Sequence, residues 1–283
     1  ARRVSPSVTG YEQNRLIRQR PENLSAWEEY LQGLRCFHER QHTDHEDRGL
    51  TQARQHFEKA IELDPALSDA HAYLSICGAW ELIYFTVDDP EQTLTAMLTD
   101  GRKAEALNPE NPLALTGMAT AYLLRGDHSA AQTHALRAVK FNPSLASSYL
   151  WLGGAQVHSG DYEQGENTIL KAFELSPADP ELNIFYAVLY FSCLGQGKYA
   201  EALDAIEQAL LQHPDAGHHL GFRAAALGHL ERSTEATAAL DRYLTLRPNL
   251  KTRDDYRRIF IPNSTLADPI IEGLVKAGWQ PEE

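Results

Sequence analysis

The sequence predicts an all-α solenoid, a stack of about six helix-turn-helix units with a lead-in helix before them and a capping helix after. Three observations carry this prediction. Prolines 65, 109, 143, 177, 214 and 248 each close a related phrase, among them Ile61-Glu-Leu-Asp-Pro65, Ala106-Leu-Asn-Pro109 and Thr245-Leu-Arg-Pro248, at spacings of 44, 34, 34, 37 and 34 residues. A fixed period near that length marks units whose apolar faces only their neighbours can bury. Counted back from the prolines, small or apolar residues recur at −5, −8 and −12, the i, i+4, i+7 rhythm of one helix face. Glycines open a turn before that helix, where a positive φ ends the preceding one.

The elements follow in order. Residues 1–23 form a basic lead-in, with five Arg against one Glu in the first twenty. Ala1-Arg-Arg-Val-Ser-Pro6 has no apolar stretch behind its basic residues, so it does not read as a signal peptide. The expectation is a chain excised from something longer. The array is expected over 24–248. Its first unit starts helix A at Trp27 and carries Ala53, Phe57 and Ala60 on helix B, with His42–Gly49 as an inserted loop. The second sets His71 and Leu74 on helix A, is stretched around Phe85–Pro90, and has Gly101 where a bulky residue is expected. The third and fourth are the clearest, with Leu115 and Met118 then Ala131, Ala135 and Ala138, and Tyr149 and Leu152 then Gly165, Ile169 and Ala172. The fifth places Asn183 and Tyr186 before Ala202, Ile206 and Ala209. Gly126-Asp127, Gly160-Asp161 and Gly197-Lys198 supply the turns, with Asp able to cap the next helix.

Residues 249–283 are expected to be a terminal cap, which a solenoid needs to cover its last apolar face. Asp268 would cap the final helix, Pro269 occupy its first turn and Gly278 end it. Ile270, Leu274 and Trp279 would be its anchors, set against Leu240 and Tyr243 or turned back over the array. Asn263-Ser-Thr265 fits a glycosylation pattern but reads more simply as a loop before this helix.

Composition narrows the function. The net charge of −13 disfavours a nucleic-acid-binding or anionic-membrane surface. No apolar run is long enough to cross a bilayer. The chain reads as soluble and cytoplasmic, with Cys36, Cys77 and Cys193 as unpaired thiols of a reducing compartment. His38-Glu-Arg-Gln-His42 matches the helical spacing that puts two imidazoles on one face for zinc, and His38, His42 and His45 are the metal candidates. A zinc peptidase also needs a third ligand in a family position, where His45 replaces the expected Gly, so the reading is a solvated helix end without a metal. Neither a phosphate loop nor a nucleophile elbow is present, and no cofactor is expected.

The repeat pattern, from the aromatic or Leu of helix A through Gly-Asp-Tyr to the closing Pro, resembles the tetratricopeptide repeat. That resemblance implies a right-handed superhelix whose A helices line the concave surface. It also implies groove positions at Ile76 and Trp80; Thr116, Thr120 and Leu124; Leu150 and His158; Ile184, Val188 and Phe191; and His229. These are apolar, small or neutral, which suits an apolar protein segment better than a carboxylate. The chain's own tail or N-terminal helix could fill the surface. Arg20-Pro-Glu-Asn-Leu-Ser-Ala-Trp27, Asp254–Phe260 and Pro269–Trp279 are similar to the flanks of such arrays in bacterial regulators, where a TolB-like domain and an adenylate cyclase or winged-helix effector precede the repeats. The resemblance implies a non-enzymatic regulatory scaffold for protein segments. Contact with an upstream effector and homo-oligomerisation stay open, as do a small-molecule sensor and, more remotely, a zinc metallopeptidase.

Overall fold

The computed structural model describes residues 23–39, 48–84, 87, 89–214 and 216–282. Among these the protein is all-α. The helices are α1 (Leu24–Glu39), α2 (Arg48–Leu63), α3 (Ser68–Ile83), α4 (Pro90–Leu107), α5 (Pro112–Leu124), α6 (His128–Phe141), α7 (Ala146–Ser159), α8 (Tyr162–Leu175), α9 (Leu182–Gly195), α10 (Tyr199–Gln212), α11 (Gly217–His229), α12 (Ser233–Leu246), α13 (Arg253–Ile259) and α14 (Ala267–Lys276). The first twelve are the A and B helices of six repeats. The lead-in, the loop through His42 and His45, and Phe85 and Thr86 lie outside the described residues.

The chain forms two compact units, one of residues 1–121, 134–145 and 178–180, the other of 122–133, 146–177 and 181–283. In the first, α1 packs on α2 and α3 on α4. An aromatic cluster of Tyr30, Phe37, Phe57 and Tyr73 fills the space between them, with Phe57 stacked on Tyr73 at 5.1 Å. The ring of Phe57 lies over Gly33, where any side chain would collide with it. Gly101, unexpectedly small for its position, leaves the space that the Met118 thioether enters from α5. The short side chain is thus matched by a long flexible one, as close packing requires. Asn111 ties the repeats polar-to-polar, its Nδ2 donating to Ser68 Oγ at 2.9 Å and Asp69 Oδ1 at 2.7 Å.

In the second unit α7 packs on α8, α9 on α10 and α11 on α12. Gly153 and Gly165 let α7 and α8 approach backbone to backbone, and the ring of Tyr162 lies over Gly195. The expected turns are made by Gly126, Gly160 and Gly197 at φ 81, 101 and 73. Asp127 caps α6 by accepting the Ala130 amide at 3.1 Å, whereas Asp161 makes no side-chain cap for α8. In the sixth repeat the left-handed turn falls to Glu231 at φ 58.

Helix α14 departs from the sequence expectation at its start. It begins at Ala267 with Leu266 as N-cap, whose side chain has no atom to cap with, and Ser264 Oγ accepts the Leu266 amide at 3.1 Å. Asp268 is instead drawn to Arg257 at 2.7 Å. Gly278 ends the helix at φ 112 as its sequence position suggests. Ile270, Leu274 and Trp279 are buried, and α14 lies on α11, the A helix of the sixth repeat. Gly228 and Gly273 make that approach: a Cβ on Gly228 would run into Gly273 O, and one on Gly273 would sit 2.5 Å from Ala225 O.

Candidate functional site

The predicted groove positions of the first unit lie on α3 and α5. Trp80 is buried and stacks on Tyr84 at 5.8 Å, while Ile76 is half-buried. Thr116 and Thr120 are 2% exposed and spend their hydroxyls on their own helix, donating to Pro112 O at 2.7 Å and Thr116 O at 2.9 Å.

The positions of the second unit share one surface with a stretch of chain that the sequence reads only as a connecting loop. Leu150 and His158 lie on α7, Ile184, Val188 and Phe191 on α9, and all five are buried; Leu124 and His229 are half-buried. Residues 257–265, from the last turn of α13 to just before α14, run over His158 as a strap. Phe260 places its ring 5.5 Å from His158, 5.8 Å from Phe191 and 6.4 Å from Phe222. Pro262 sits on Gly126, and Asn263 Nδ2 donates to Gly126 O at 3.3 Å. The Thr265 amide donates to His158 O at 3.1 Å, and Tyr162 Oη donates to Thr265 Oγ1 at 2.9 Å. The strap turns as it crosses, with the Ser264 amide donating to Ile261 O at 3.3 Å and Asn263 at φ 57, and it is held by backbone and side-chain bonds of the kind a bound peptide makes.

Ser264 Oγ lies 2.7 Å from His158 Nδ1 while accepting the Leu266 amide, so its own proton is placed to reach the ring nitrogen. That geometry suits a neutral imidazole. Burial pushes His158 down to about 3, with the neighbouring His128 as a lesser cause. His128 stacks on His158 at 6.1 Å, and both of its ring nitrogens are buried without a hydrogen-bond partner among the described residues.

His229 serves α14. Its ring lies parallel to Tyr199 at 4.2 Å, its Nε2 donates to Pro269 O at 2.8 Å, and Lys276 Nζ approaches Nδ1 at 3.4 Å. Desolvation lowers its pKa against the opposing pull of the Pro269 carbonyl. In α11 His219 is buried and His218 is half-buried, with desolvation pushing His218 to about 4.

Phe260, Gly228 and Gly273 had no signal in the sequence that tied them to the site. The one hint was Asn263-Ser-Thr265, whose polar side chains turn out to be the strap's attachment points.

Burial raises the Cys193 thiol to about 11, away from the thiolate form that attacks or ligates. Among the described residues no three His, Cys, Asp or Glu side chains converge as a metal group. His38 is exposed at the end of α1 beside Phe37, and His42 and His45 lie outside the described residues. No helix among the described residues is long and apolar enough to cross a membrane.

Six A–B helix pairs, the third to fifth turning at glycine, with a helix laid on the last A helix, form an α-solenoid of the tetratricopeptide-repeat fold. Residues 116–181 and 194–250 match the tetratricopeptide repeat family. The chain is 32% identical over 80 residues to Small glutamine-rich tetratricopeptide repeat-containing protein 2 of Mycosarcoma maydis, which is 28% of this chain and 23% of that protein, so under a quarter of the relative is spanned. Among solved structures it resembles the Cut9–Hcn1 heterotetramer of APC/C, with TM-score 0.65 and 16% identity over 95% of this chain and 45% of that one. It also resembles the tetratricopeptide-repeat protein TTC0263 of Thermus thermophilus, with TM-score 0.53 and 20% identity over 72% and 98% of the two chains. A third likeness is to Pseudomonas aeruginosa pilF, with TM-score 0.54 and 18% identity over 80% and 93%. At these identities the structural likenesses establish the fold. Tetratricopeptide-repeat proteins bind protein or peptide partners.

Proposed function

We propose that this chain is a non-enzymatic protein-interaction scaffold, the sensory or regulatory region of a cytoplasmic bacterial signalling protein whose effector is an adenylate cyclase or a winged-helix DNA-binding domain on the same polypeptide. The ligand class is a partly apolar protein segment received on the A-helix surface. One observation carries this reading: the A helices of the second unit already hold a non-helical, turned stretch of chain, with Phe260 against His158, Phe191 and Phe222, and a main-chain bond at His158 O. The regulatory context draws its support from the flanking phrases Arg20–Trp27 and Asp254–Phe260.

The test is a display library of peptides selected against the intact chain, run beside a panel of apolar small molecules in a thermal-shift assay. Selected peptides should share an aromatic residue and bind one-to-one, with affinity unchanged by chelator. Stabilisation by a small molecule with no peptide selected would replace this reading with a small-molecule sensor. Reading the coding sequence upstream of Ala1 tests the effector, and an upstream region without an α/β or effector domain would remove the signalling context.

A further inference from the structure

The cap and the strap are held differently although they adjoin. Ile270, Ile271 and Leu274 of α14 have no exposed surface, and Leu266 has none either. On the other side of the strap, Tyr256 is buried in α13, whose N-terminus is closed by a capping box of Thr252 and Asp255. Between these anchors Pro262, Asn263 and Thr265 are exposed, Ile259 is 43% exposed and Phe260 is only half-buried. Residues 257–265 can therefore leave the surface with both ends still docked, a local opening that costs only the strap's own contacts.

The strap is also an incomplete ligand. It satisfies His158 through Ser264 and Thr265, but the ring nitrogens of His128, stacked on His158 and two residues from the Gly126 carbonyl that Asn263 uses, stay buried and unpartnered among the described residues. Buried polar atoms are ordinarily paired. A segment that repeats the strap's contacts and adds a hydrogen-bonding side chain toward His128 would outcompete it, since the strap leaves that bond unmade.

We propose that residues 257–265 are a built-in pseudo-ligand, and that the partner is a turn-forming segment with an aromatic residue at the place of Phe260, a hydroxyl at that of Ser264 and a hydrogen-bonding side chain between them. This rests on the interaction reading above and specifies its ligand. Binding in trans requires the strap to lift, so self-occupancy sets the threshold for the partner. The apparent affinity of the surface is reduced by the fraction of chains in which the strap is closed.

The experiment titrates a fluorescein-labelled peptide of residues 256–267 into the intact chain and into its Phe260→Ala/Ser264→Ala variant. The variant should bind at least tenfold more tightly, because its own strap no longer competes, and a peptide with Ala in place of Phe260 should fail on both. Equal affinity of the two chains, or binding that ignores the Phe260 replacement, overturns the proposal. Hydrogen exchange on the unaltered chain gives a readout independent of the variant's folding. The Thr265 amide, bonded to His158 O, should exchange at least tenfold faster than the Ala277 and Trp279 amides, bonded to Gly273 O and Leu274 O. Exchange in step with those amides overturns it, since the strap would then open only with the cap. A library peptide that binds without displacing the labelled one ends this proposal and leaves the interaction scaffold standing.

Discussion

Helix α14 and the strap that precedes it belong to one continuous stretch, yet one is part of the core and the other behaves as cargo. In α14 the contacts are apolar and close: three side chains without exposed surface, and a backbone approach at Gly228 and Gly273 that leaves no room for a methyl group. In the strap they are polar and shallow, with one half-buried ring and hydrogen bonds of 2.7 to 3.3 Å. Apolar burial scales with area removed from water, at about 25 cal/mol per Å². Exposed hydrogen bonds exchange with water at little net cost. Position on the A-helix surface alone therefore does not decide whether a segment is permanent; the area it buries does.

The comparison is broken most sharply by truncating one side chain in each region. Leu274→Ala should cost about 3 kcal/mol in urea denaturation, in the range for a fully buried leucine. Phe260→Ala should cost about 1 kcal/mol, since part of the ring is already in water. Equal losses would mean that strap and cap form a single cooperative element.

Gly228→Ala should cost about 2 kcal/mol, because the added methyl meets backbone rather than a movable side chain. An unchanged midpoint would show that α14 can shift on α11 without loss, and the distinction between the two regions would weaken.

Acid sharpens the strap side. The folded-state pKa of His158, about 3, lies below its ordinary value of 6.5, so the unfolded chain binds the extra proton between those values. Stability is complete above pH 6.5 and falls as pH drops, by at most about 1.4 kcal/mol per pH unit for one such histidine. His218, pushed to about 4, adds loss of the same sign. His158→Gln should flatten the slope between pH 6.5 and 4, and an unaltered slope would place the acid sensitivity in α11.

The smallest effect is a gain. Glu231 holds φ 58 in the turn that Gly makes in the third, fourth and fifth repeats. Glu231→Gly should add about 1 kcal/mol by removing the Cβ strain of that conformation, read as an upward shift of the thermal midpoint. A lower midpoint would mean that the Glu231 side chain contributes more than its backbone costs.

The sequence by itself determined the parts of this protein that depend on near neighbours. Ala131, Ala135 and Ala138 define a helix face at 3.6-residue spacing. Gly126, Gly160 and Gly197 mark turns because only their backbones take positive φ without strain. Pro269 and Gly278 bracketed the last helix to within a few residues. The A-helix location of Leu150, His158, Ile184, Val188 and Phe191 followed from the same period. What covers those residues did not. Phe260, Asn263, Ser264 and Thr265 meet their partners on α7, α8, α9, α11 and the turn between α5 and α6 from far along the chain, and no periodicity relates Ser264 to His158 or Asn263 to Gly126. The Gly228–Gly273 crossing is equally silent, since a glycine in a helix has the same local signature whether it faces water or another backbone. Only the tertiary structure decided that residues 260–265 cover these A-helix positions, because contacts of that separation are selected by shape and hydrogen-bond complementarity after the repeats have formed.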